Sequence, residues 1–474
     1  MALALLLILV AAFRSEGFFA ADEQFQVLEF AGAKLGLTPE SALPWEYQCR
    51  MRPWLQPALY TLAARGLASL GVADPFAWAF AFRLFSGLVA WLGVVGLAFC
   101  SERWLSDPAA RRLAVRALAL SYFVPYLAVR TSAESLSTSC LVLAVCLVVL
   151  ASERRPAAVD LVAGALLGLG CALRYAAAVL ALALLVDRWG YGEWTLAAWN
   201  YAFRNFVEHR AALEFGARPW WGYLTLLALG PFGPLNLVLA AAVVVAWARH
   251  PRHVLTWMTL PLAVVQCAIA HKEVRFLFPI AMLGPVLLAL ALRGYTPRGW
   301  RRALATAVVA YDLAGLAALC VLPAQPQVAF LDFVHRRFAN GLEAYLAAPS
   351  SPWDWKTLTM HFYGEPPRGL RPWPGTVQLA AEGATEWKLV TSSWDGLPRV
   401  APYSCRPLYR SMPAWLAHGS GSSLEGRLAG WELYRCGLPG SQGALARRAP
   451  TGILAGARTT PVAAPERERE RSGR

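Results

Sequence analysis

The sequence predicts an all-α polytopic membrane protein with about nine transmembrane helices and a small C-terminal α/β domain outside the membrane. Of its 474 residues, 57% are hydrophobic and only 16% are charged, whereas a soluble domain carries about a quarter charged residues. The apolar residues form long runs that are separated by short basic loops. Beyond residue 323 the chain becomes polar and rich in Trp and Pro. These observations predict a membrane part, 1–323, an extramembrane domain, 324–460, and a disordered charged tail, 461–474.

The charge balance excludes one class of partner. The net charge is +14, which in a soluble chain would suggest nucleic acid. Here most basic residues lie between apolar runs, so membrane orientation accounts for them and membrane lipids, not nucleic acid, are the expected partners. The nine cysteines form no C-x-x-C pair, so no zinc or redox motif is visible.

The positions of the apolar runs define the expected spans. They lie at about 1–20, 75–99, 110–130, 134–151, 157–186, 223–247, 254–270, 275–292 and 302–322. The first run lacks a basic segment before it and a cleavage site after it, which favours an uncleaved span over a signal peptide.

The loops between the runs set the expected orientation. With a cytoplasmic N-terminus, the short basic loops all fall in the cytoplasm, as the positive-inside rule requires: 101–112, 152–155, 248–253 and 293–302. The first outer loop, 21–74, and the outer loop 187–222 then share the opposite side with the C-terminal domain. Within the first outer loop, residues 54–70 predict an interfacial helix. In the C-terminal domain, 329–347 predict an amphipathic helix and 378–392 alternate like strands.

A charged stretch, His-Lys-Glu-Val-Arg-Phe, lies between the last two pairs of spans. His271 and Arg275 are four residues apart, and Lys272 and Arg275 three apart, so on a helix both pairs would share one face. Arg offers a planar fork of donors and Lys a mobile charge, and Glu273 can balance one of them. The spacing leaves two interpretations open: a phosphate site, or ordinary charges at a helix end that reach the membrane interface.

Carboxylates follow the first span directly. Asp22 and Glu23 stand at the predicted membrane boundary. Inverting glycosyl transfer needs one carboxylate that takes the proton of the acceptor hydroxyl, and burial and nearby cations can tune such a group. The alternative is an aspartate that caps the next helix.

Together these stretches resemble the lipid-linked mannosyltransferases that build N-glycan precursors and GPI anchors, which are multi-spanning glycosyltransferases of the GT-C type, family 22. His-Lys-Glu-x-Arg-Phe at 271–276 matches the hallmark of the family, and Asp22-Glu23 matches its Asp-Glu after the first span. The resemblance covers roughly residues 14–285 and is closer to the enzymes of GPI assembly than to those of N-glycan assembly.

Further stretches resemble the family more loosely. They are Trp45-Glu46-Tyr47 with the following arginines, Arg130-Thr-Ser-Ala-Glu134, and Asp187-Arg-Trp-Gly-Tyr191 with later Asn and Trp residues. Gly190 stands where the family has an aromatic residue, and Tyr47 replaces a Trp. The alternative for the aromatic residues is an ordinary belt at the membrane interface. The family also has room for two more spans between Arg174 and Asp187, where this chain has about a dozen residues.

What the resemblance implies is an inverting transfer of mannose from a polyprenyl (dolichyl) phosphate mannose donor to a glycolipid or lipid-linked oligosaccharide acceptor. The catalytic residues would be Asp22, as the base, and Glu23. The donor phosphate and substrate would be bound by Arg50, Arg52, Arg130, Glu134, Arg174, His271, Lys272, Glu273 and Arg275. The sugar or acceptor would be lined by Trp45, Glu46, Asp187, Tyr191, Asn200 and Trp220. The resemblance implies no metal or other cofactor, and its membrane would be the endoplasmic reticulum in a eukaryote or the cytoplasmic membrane in a bacterium.

Two further points stay open at the level of sequence. A lipid or glycolipid transporter could use the same cations only to bind a head group, although it would need no carboxylate base. Cys405 and Cys436 both fall in the domain predicted to lie outside, where paired cysteines usually form disulfides. We therefore expect a bridge between them, with two unpaired thiols as the alternative.

Overall fold

The computed structural model describes residues 1–151, 156–174, 180–230, 232–295, 298–339, 341–393, 395–413 and 430–438, without the side chains of 174, 180–183 and 206. The basic loop 152–155 and the charged tail 461–474 lie outside the described residues.

Helices make up most of the described chain. They are α1 Ala2–Arg14, α2 Glu29–Leu35, α3 Trp45–Gln48, α4 Leu55–Ser69, α5 Pro75–Trp104, α6 Pro108–Leu120, α7 Phe123–Ala128, α8 Ala133–Leu150, α9 Ala157–Arg174, α10 Leu180–Tyr191, α11 Ala197–Ala202, α12 Arg210–Phe215, α13 Gly222–Leu229, α14 Gly233–Arg249, α15 Val254–Ala268, α16 Phe278–Ala291, α17 Trp300–Val321, α18 Pro326–Arg337 and α19 Thr376–Ala381. Wider π-helical turns cover Glu23–Leu28 and Phe203–Val207, and tighter 3-10 turns cover Glu40–Ala42, Val274–Leu277 and His361–Tyr363.

The apolar helices agree with a membrane protein. Within the described residues, four helical stretches are long and apolar enough to cross a membrane: Pro75–Trp104, Ala133–Leu150, Val274–Ala291 and Trp300–Arg337. Shorter apolar helices are Ala2–Arg14, Ala157–Leu173, Gly233–Arg249 and Val254–Ala268. Membrane character is therefore clear, while the count of nine spans stays a prediction.

Several predicted spans are interrupted where the backbone leaves the helical region. The run 110–130 divides at Ser121, whose ψ of 128° is extended, so that α6 and α7 are separate helices. The run 223–247 divides between α13 and α14, where Gly230 is extended and Phe232 is left-handed with a φ of 60°. Hydrophobicity predicted the extent of these apolar runs but not the breaks within them. A residue with an extended backbone has the same side-chain hydropathy as a helical one, so the break leaves no signal in the hydropathy pattern. The predicted interfacial helix at 54–70 corresponds to α4.

A mixed sheet forms the C-terminal part of the described chain. Its strands are β1 Ala344–Leu346, β4 Leu370–Pro372, β5 Glu386–Ser392, β6 Ser404–Arg410 and β7 Trp431–Gly437, in the order β4-β1-β5-β7-β6. A separate pair is β2 Asp354–Trp355 with β3 Leu358–Thr359. β1 is parallel to both neighbours, whereas β7 is antiparallel to β5 and β6. A disulfide joins Cys405 and Cys436 at paired positions of β6 and β7.

The C-terminal part shares a hydrophobic core with the first outer loop. Phe25 after α1, Tyr60 in α4 and Phe82 in α5 pack in one buried cluster with Phe330 and Phe362. A second cluster joins α5, α6, α8, α14 and α16 across the apolar helices. The predicted boundary at residue 324 therefore marks a change from apolar to polar sequence. It does not mark a break in packing, because the C-terminal part packs against the segment between Phe18 and Phe82.

Candidate active site

Charged side chains that are far apart in the sequence meet beside the first outer loop. We call this group the ion cluster; its members are Asp22, Glu46, Arg52, Glu134, His271, Glu273 and Arg275. All seven were predicted for the site, so the structure brings this part of the prediction into one place. The members of the ion cluster lie in turns, in the short helix α3 or, for Glu134, in the first turn of the long helix α8.

Arg275 lies at the centre of the ion cluster and is only 4% exposed. Its Nη1 forms an ion pair with Asp22 Oδ2 and lies 3.7 Å from Glu134 Oε1, while Nη2 donates to Glu273 Oε1 at 2.7 Å. The tight turn Val274–Leu277, which precedes α16, holds its backbone. A guanidinium this buried requires nearby carboxylates, and here three of them supply the compensating charge.

Asp22 is partly exposed, whereas two of the other carboxylates in the ion cluster are buried. Its side chain is 19% exposed, compared with 33% for Glu273 at the outer edge and 6% each for Glu46 and Glu134. Arg52 Nη2 approaches Asp22 Oδ2 at 3.4 Å and Glu46 Oε1 at 3.8 Å. Asp22 therefore stands between two arginines with one side open to a substrate.

Glu46 lies behind Asp22 in α3. Gln26, from the π-helical turn, donates to its Oε1 at 2.8 Å. Burial raises the pKa of Glu46, an effect that Arg52 opposes and Asp22 reinforces. Sequence reasoning missed Gln26; its only signal was an unusual density of polar residues between 22 and 29, directly after an apolar span.

His271 and Glu273 form the outer edge of the ion cluster. His271 Nε2 lies 2.9 Å from Glu273 Oε1, and Nδ1 lies 3.2 Å from the carbonyl oxygen of Gly216. Because both ring nitrogens face acceptors, the protonated imidazolium fits best, and the bond with Glu273 raises the pKa of His271. Burial alone would raise the pKa of Glu273, but Arg275 and His271 outweigh it and hold that pKa well below its usual range.

Lys272 does not share a face with Arg275, which corrects the helical arrangement predicted from their spacing. Glu273 is extended, with φ −134° and ψ 145°, so the backbone between the two cations is not a helix. Lys272 Nζ donates instead to the carbonyl oxygens of Cys267, at 2.8 Å, and Ile269, at 2.5 Å. These carbonyls lie at the C-terminal end of α15, where a cation is favoured by the helix dipole.

Glu23 and Arg130 are engaged by the backbone. Glu23 Oε1 accepts from Phe19 N at 3.0 Å, and Oε2 accepts from Thr131 N at 3.1 Å. Arg130, which is fully buried, donates from Nη2 to the Ser15 carbonyl at 2.8 Å. Both side chains thus join the turn after α1 to the segment before α8. Residues held in this way position the turn that carries Asp22 and do not contact a substrate.

Asp187 and Tyr191 hold the outer loop 187–222 against the first outer loop. Asp187 Oδ1 accepts from Trp54 N at 3.0 Å and Oδ2 from Ala197 N at 3.3 Å, at the starts of α4 and α11. A carboxylate at two helix N-termini satisfies free N–H groups and the helix dipoles. Tyr191 donates its hydroxyl to the Arg52 carbonyl at 2.8 Å. These contacts fix the backbone of Arg52.

The remaining predicted residues contact groups outside the ion cluster. Trp45 packs beside Phe215 and under the Arg210 guanidinium, and Trp220 is 72% exposed. Arg50 Nε donates to Glu193 Oε1 at 2.6 Å, and Asn200 Nδ2 donates to the Arg50 carbonyl at 3.1 Å. The side chain of Arg174 lies outside the described residues.

The arrangement has the parts that displacement at a sugar carbon needs. A partly exposed carboxylate can accept a proton, and two arginines beside it can hold a phosphate that leaves. The resting structure pairs those same groups with one another.

Comparison with known proteins identifies the family. The profile of the Alg9-like mannosyltransferase family matches residues 1–185 and 165–340. GPI alpha-1,2-mannosyltransferase 3 of Danio rerio is 26% identical over 330 residues, which is 62% of this chain and 59% of that protein. The Mus musculus protein of the same name is 24% identical over 324 residues, 60% of this chain and 56% of that protein. The chain thus spans less than two thirds of the length of these relatives.

Among solved structures, ArnT from Cupriavidus metallidurans bound to undecaprenyl phosphate aligns over 92% of this chain and 96% of that chain, with 12% identity and a TM-score of 0.49. The family profile covers well over half of this chain and includes the segments that carry the ion cluster. The chain belongs to the Alg9-like mannosyltransferase family.

Proposed function

We propose that this protein transfers mannose from a polyprenyl (dolichyl) phosphate mannose donor to a lipid-linked glycan or GPI-type acceptor, with inversion, on the luminal or periplasmic face of its membrane. The observation that carries the proposal is the pair formed by Asp22 and Arg275. It joins the two family motifs, which are 253 residues apart (275 minus 22), at one partly open point. GPI mannosyltransferases among the relatives support a GPI-type acceptor.

In the proposed reaction the oxygen of an acceptor hydroxyl attacks the anomeric carbon of mannose. The new C–O bond forms as the bond from that carbon to the phosphate oxygen breaks, and the electron pair of the broken bond leaves with the polyprenyl phosphate. Asp22 takes the hydroxyl proton, as a general base does. Products are the mannosylated acceptor and polyprenyl phosphate.

Arg275 and Arg52 have two successive roles in this proposal. In the resting state they neutralise Asp22. A donor phosphate bound beside them competes for the same N–H groups, which frees Asp22 to accept a proton and places positive charge where the leaving phosphate becomes more negative. Glu23 and Arg130 position the turn that carries Asp22.

The location follows the family and the charge pattern. The membrane would be the endoplasmic reticulum in a eukaryote or the cytoplasmic membrane in a bacterium, with the ion cluster on the side opposite the basic loops. No metal or other cofactor is part of the proposal.

The test measures transfer by purified protein in detergent or nanodiscs. Radiolabelled polyprenyl phosphate mannose is supplied with a GPI-type glycolipid or a lipid-linked oligosaccharide, and the labelled product is identified. Asp22→Asn should lower kcat by about 10²–10⁴-fold, because a general base contributes that much, while donor binding persists. Glu214→Gln, which changes an exposed carboxylate on the outer loop, is the matched control and should keep the wild-type rate.

The outcomes separate the alternatives. Donor binding by wild-type protein without transfer to either acceptor class would favour a lipid transporter and overturn the proposed function. Transfer by Asp22→Asn at nearly the wild-type rate would leave the function standing but remove Asp22 from the role of base.

A further inference from the structure

A cavity of about 370 Å³ opens between the first outer loop and the outer loop 187–222. One wall is formed by residues 48–50, at the end of α3. The other wall is formed by α11 and the π-helical turn after it, which supply Trp199, Asn200, Phe203 and Arg204. Its volume falls within the range of about 300–1,000 Å³ that small-molecule sites occupy.

Contacts between neighbouring residues link this cavity to the ion cluster. Asn200 donates to the carbonyl of Arg50 at 3.1 Å, and the ring of Tyr201, the next residue, lies 5.4 Å from the guanidinium carbon of Arg52. Arg50 and Arg52 are two residues apart, so their Cα atoms are separated by at most about 7 Å. A ligand longer than one sugar ring could therefore reach from the cavity to Asp22.

The charges around the cavity are already balanced. Arg50 is paired with Glu193 at 2.6 Å, and Arg204 is paired with Glu208 at 2.7 Å. These two pairs leave the cavity without excess positive charge, so the groups that remain for a ligand are its rings and amides. Arg50, predicted from the sequence for the donor phosphate, is better placed to shape a site for an uncharged ligand.

The other groups at the cavity suit an uncharged polyhydroxylated ligand. Trp199 is 66% exposed and Phe203 is 42% exposed, so both present ring surface. Gln48 adds a side-chain amide that both donates and accepts, and Asn200, whose Nδ2 donates to the Arg50 carbonyl and to Thr195 Oγ1, adds its Oδ1 as an acceptor. Ring faces for the apolar side of a sugar, with amides for its hydroxyls, are the two kinds of contact that a carbohydrate needs. An interfacial aromatic belt would explain the rings, but it requires neither a cavity nor paired arginines beside them.

We propose that this cavity is a subsite for the neutral, mannose-containing part of the acceptor glycan, one or more sugar rings away from the hydroxyl that reacts at Asp22. The assignment rests on the proposed function and adds to it where the acceptor lies. Trp199 and Phe203 are the stacking residues, and Asn200 and Gln48 bind hydroxyl groups.

Cys49 provides a direct test of binding because it lines the cavity and is half-buried. The purified full-length protein is treated with a maleimide, and modification of the Cys49 peptide is followed by mass spectrometry with soluble α-mannotriose or inorganic phosphate present. At a glycan concentration of about three times Kd, roughly a quarter of the sites stay open, so labelling should slow about fourfold. Mannotriose should protect Cys49, and phosphate should not.

Matched tryptophan variants make the test specific. Trp199→Ala should abolish protection, whereas Trp194→Ala, which removes a tryptophan that is 67% exposed outside the cavity, should retain it. In the transfer assay, Trp199→Ala should raise the acceptor KM about three- to tenfold with donor KM unchanged, since an aromatic contact is worth a factor of that order.

Protection by phosphate alone, or no protection by mannotriose, would overturn the subsite, and so would equal protection in Trp199→Ala and wild type. The protection assay contains no donor, so it decides the subsite even when no mannose is transferred. Absence of transfer by wild-type protein would instead contradict the proposed function.

Discussion

Lys272 and Arg275 are cations three residues apart in one motif, yet they contact different parts of the molecule. Arg275 lies among the carboxylates of Asp22, Glu134 and Glu273. The ammonium of Lys272 is bound by carbonyls at the end of α15 and lies 5.6 Å from the centre of the Tyr223 ring. One cation therefore belongs to the proposed reaction centre, while the other stabilises the segment that leads to it.

This difference gives opposite expectations for the alanine variants. Lys272→Ala should lower the free energy of unfolding by about 1–3 kcal/mol, because buried carbonyls lose a charged donor, and should change the donor KM little. Arg275→Ala should weaken donor use by about 2–4 kcal/mol, the cost of losing a buried charged contact. Thermal unfolding in detergent and donor kinetics measure the two effects, with Arg301→Ala at the exposed start of α17 as the control. A stable Lys272→Ala protein with a large loss of donor affinity would contradict this assignment.

Residue types of the candidate site could be predicted from the sequence, but their pairing could not. The charged stretch at 271–275 was found because charges between apolar runs are unusual. Its helical geometry was wrong because a single extended residue, Glu273, turns Lys272 and Arg275 apart. Glu23 was placed in catalysis with Asp22 because both belong to the Asp-Glu motif that resembles the family, and only the structure shows that backbone N–H groups occupy its carboxylate.

Gly190 illustrates a departure from the family pattern that packing explains. A Cβ atom at this position would lie 2.0 Å from the ring of Trp54, which is fully buried. Any larger residue would have to displace Trp54, whose backbone N–H donates to Asp187 Oδ1. The glycine thus allows α10 to approach α4 closely, and a sequence pattern alone gives no hint of that neighbour.

Among the elements, α2 is joined to the C-terminal part through one buried carboxylate. Glu29, which is 1% exposed, accepts from Thr38 Oγ1 at 2.6 Å, from Gln24 Nε2 at 2.7 Å and from Phe362 N at 3.0 Å. Burial raises the pKa of Glu29 to about 7, although these hydrogen bonds act to lower it. Phe362 lies in the turn between β3 and β4, so Glu29 connects the segment after Asp22 to the sheet region.

The raised pKa predicts a pH dependence with a defined sign. A carboxyl group whose pKa is higher in the folded state favours folding when protonated, so its contribution is complete below about pH 4.5 and is lost as pH rises through about 7. Glu29→Gln does not titrate. Wild-type Tm should therefore fall relative to that of Glu29→Gln between pH 4.5 and 7, while the exposed Glu343→Gln control should follow the wild type. Parallel Tm curves for wild type and Glu29→Gln would show that Glu29 does not titrate in this range.

Element types in the C-terminal part were partly predictable. Amphipathic spacing indicated a helix at 329–347, and the structure has α18 at Pro326–Arg337, followed by β1 at Ala344–Leu346. Alternation at 378–392 indicated strands; β5 covers Glu386–Ser392, but the strand prediction is wrong for 378–381, which belong to α19. The helix was predicted too long because β1 pairs in parallel with β4 and β5, and pairing between distant segments leaves no local signal in a strand of three residues.

At the scale of the whole molecule, the family profile matches this chain in two pieces, which meet at the segment that is shorter than in the family pattern. The matches overlap at 165–185, and about a dozen residues separate Arg174 from Asp187. Despite that shortening, Asp22 from the first piece and Arg275 from the second form a pair. Membrane character and family were predictable from composition and motifs, whereas the packing of the first outer loop on the C-terminal part depends on contacts more than 300 residues apart, such as Glu29 with Phe362.

Three of the basic loops, 101–112, 248–253 and the start of 293–302, lie together at one end of the helices. Arg103 donates to the Leu150 carbonyl at the end of α8, and the ring of Trp104 packs against His253 at 5.7 Å. Arg293 donates to Ser106, so a third basic loop meets the segment after α5. The charge pattern predicts that these loops lie on one side of the membrane. The packing, which is an independent observation, also brings them to one side.

The loop charges and the packing therefore predict one membrane topology, and that topology decides which side of the membrane the ion cluster faces. With an inside N-terminus, the end of α5 faces the cytoplasm, while the ion cluster and the C-terminal part face outward. Glu102→Cys and Glu382→Cys place single new thiols at exposed positions of these two ends; Ser101, although adjacent, is fully buried and unsuitable. In sealed, oriented vesicles an impermeant maleimide should modify one variant from outside and the other only after the membrane is opened, with the unsubstituted protein as the background. Modification of both from the same side would refute this topology and would leave the basic loops in the same compartment as the ion cluster.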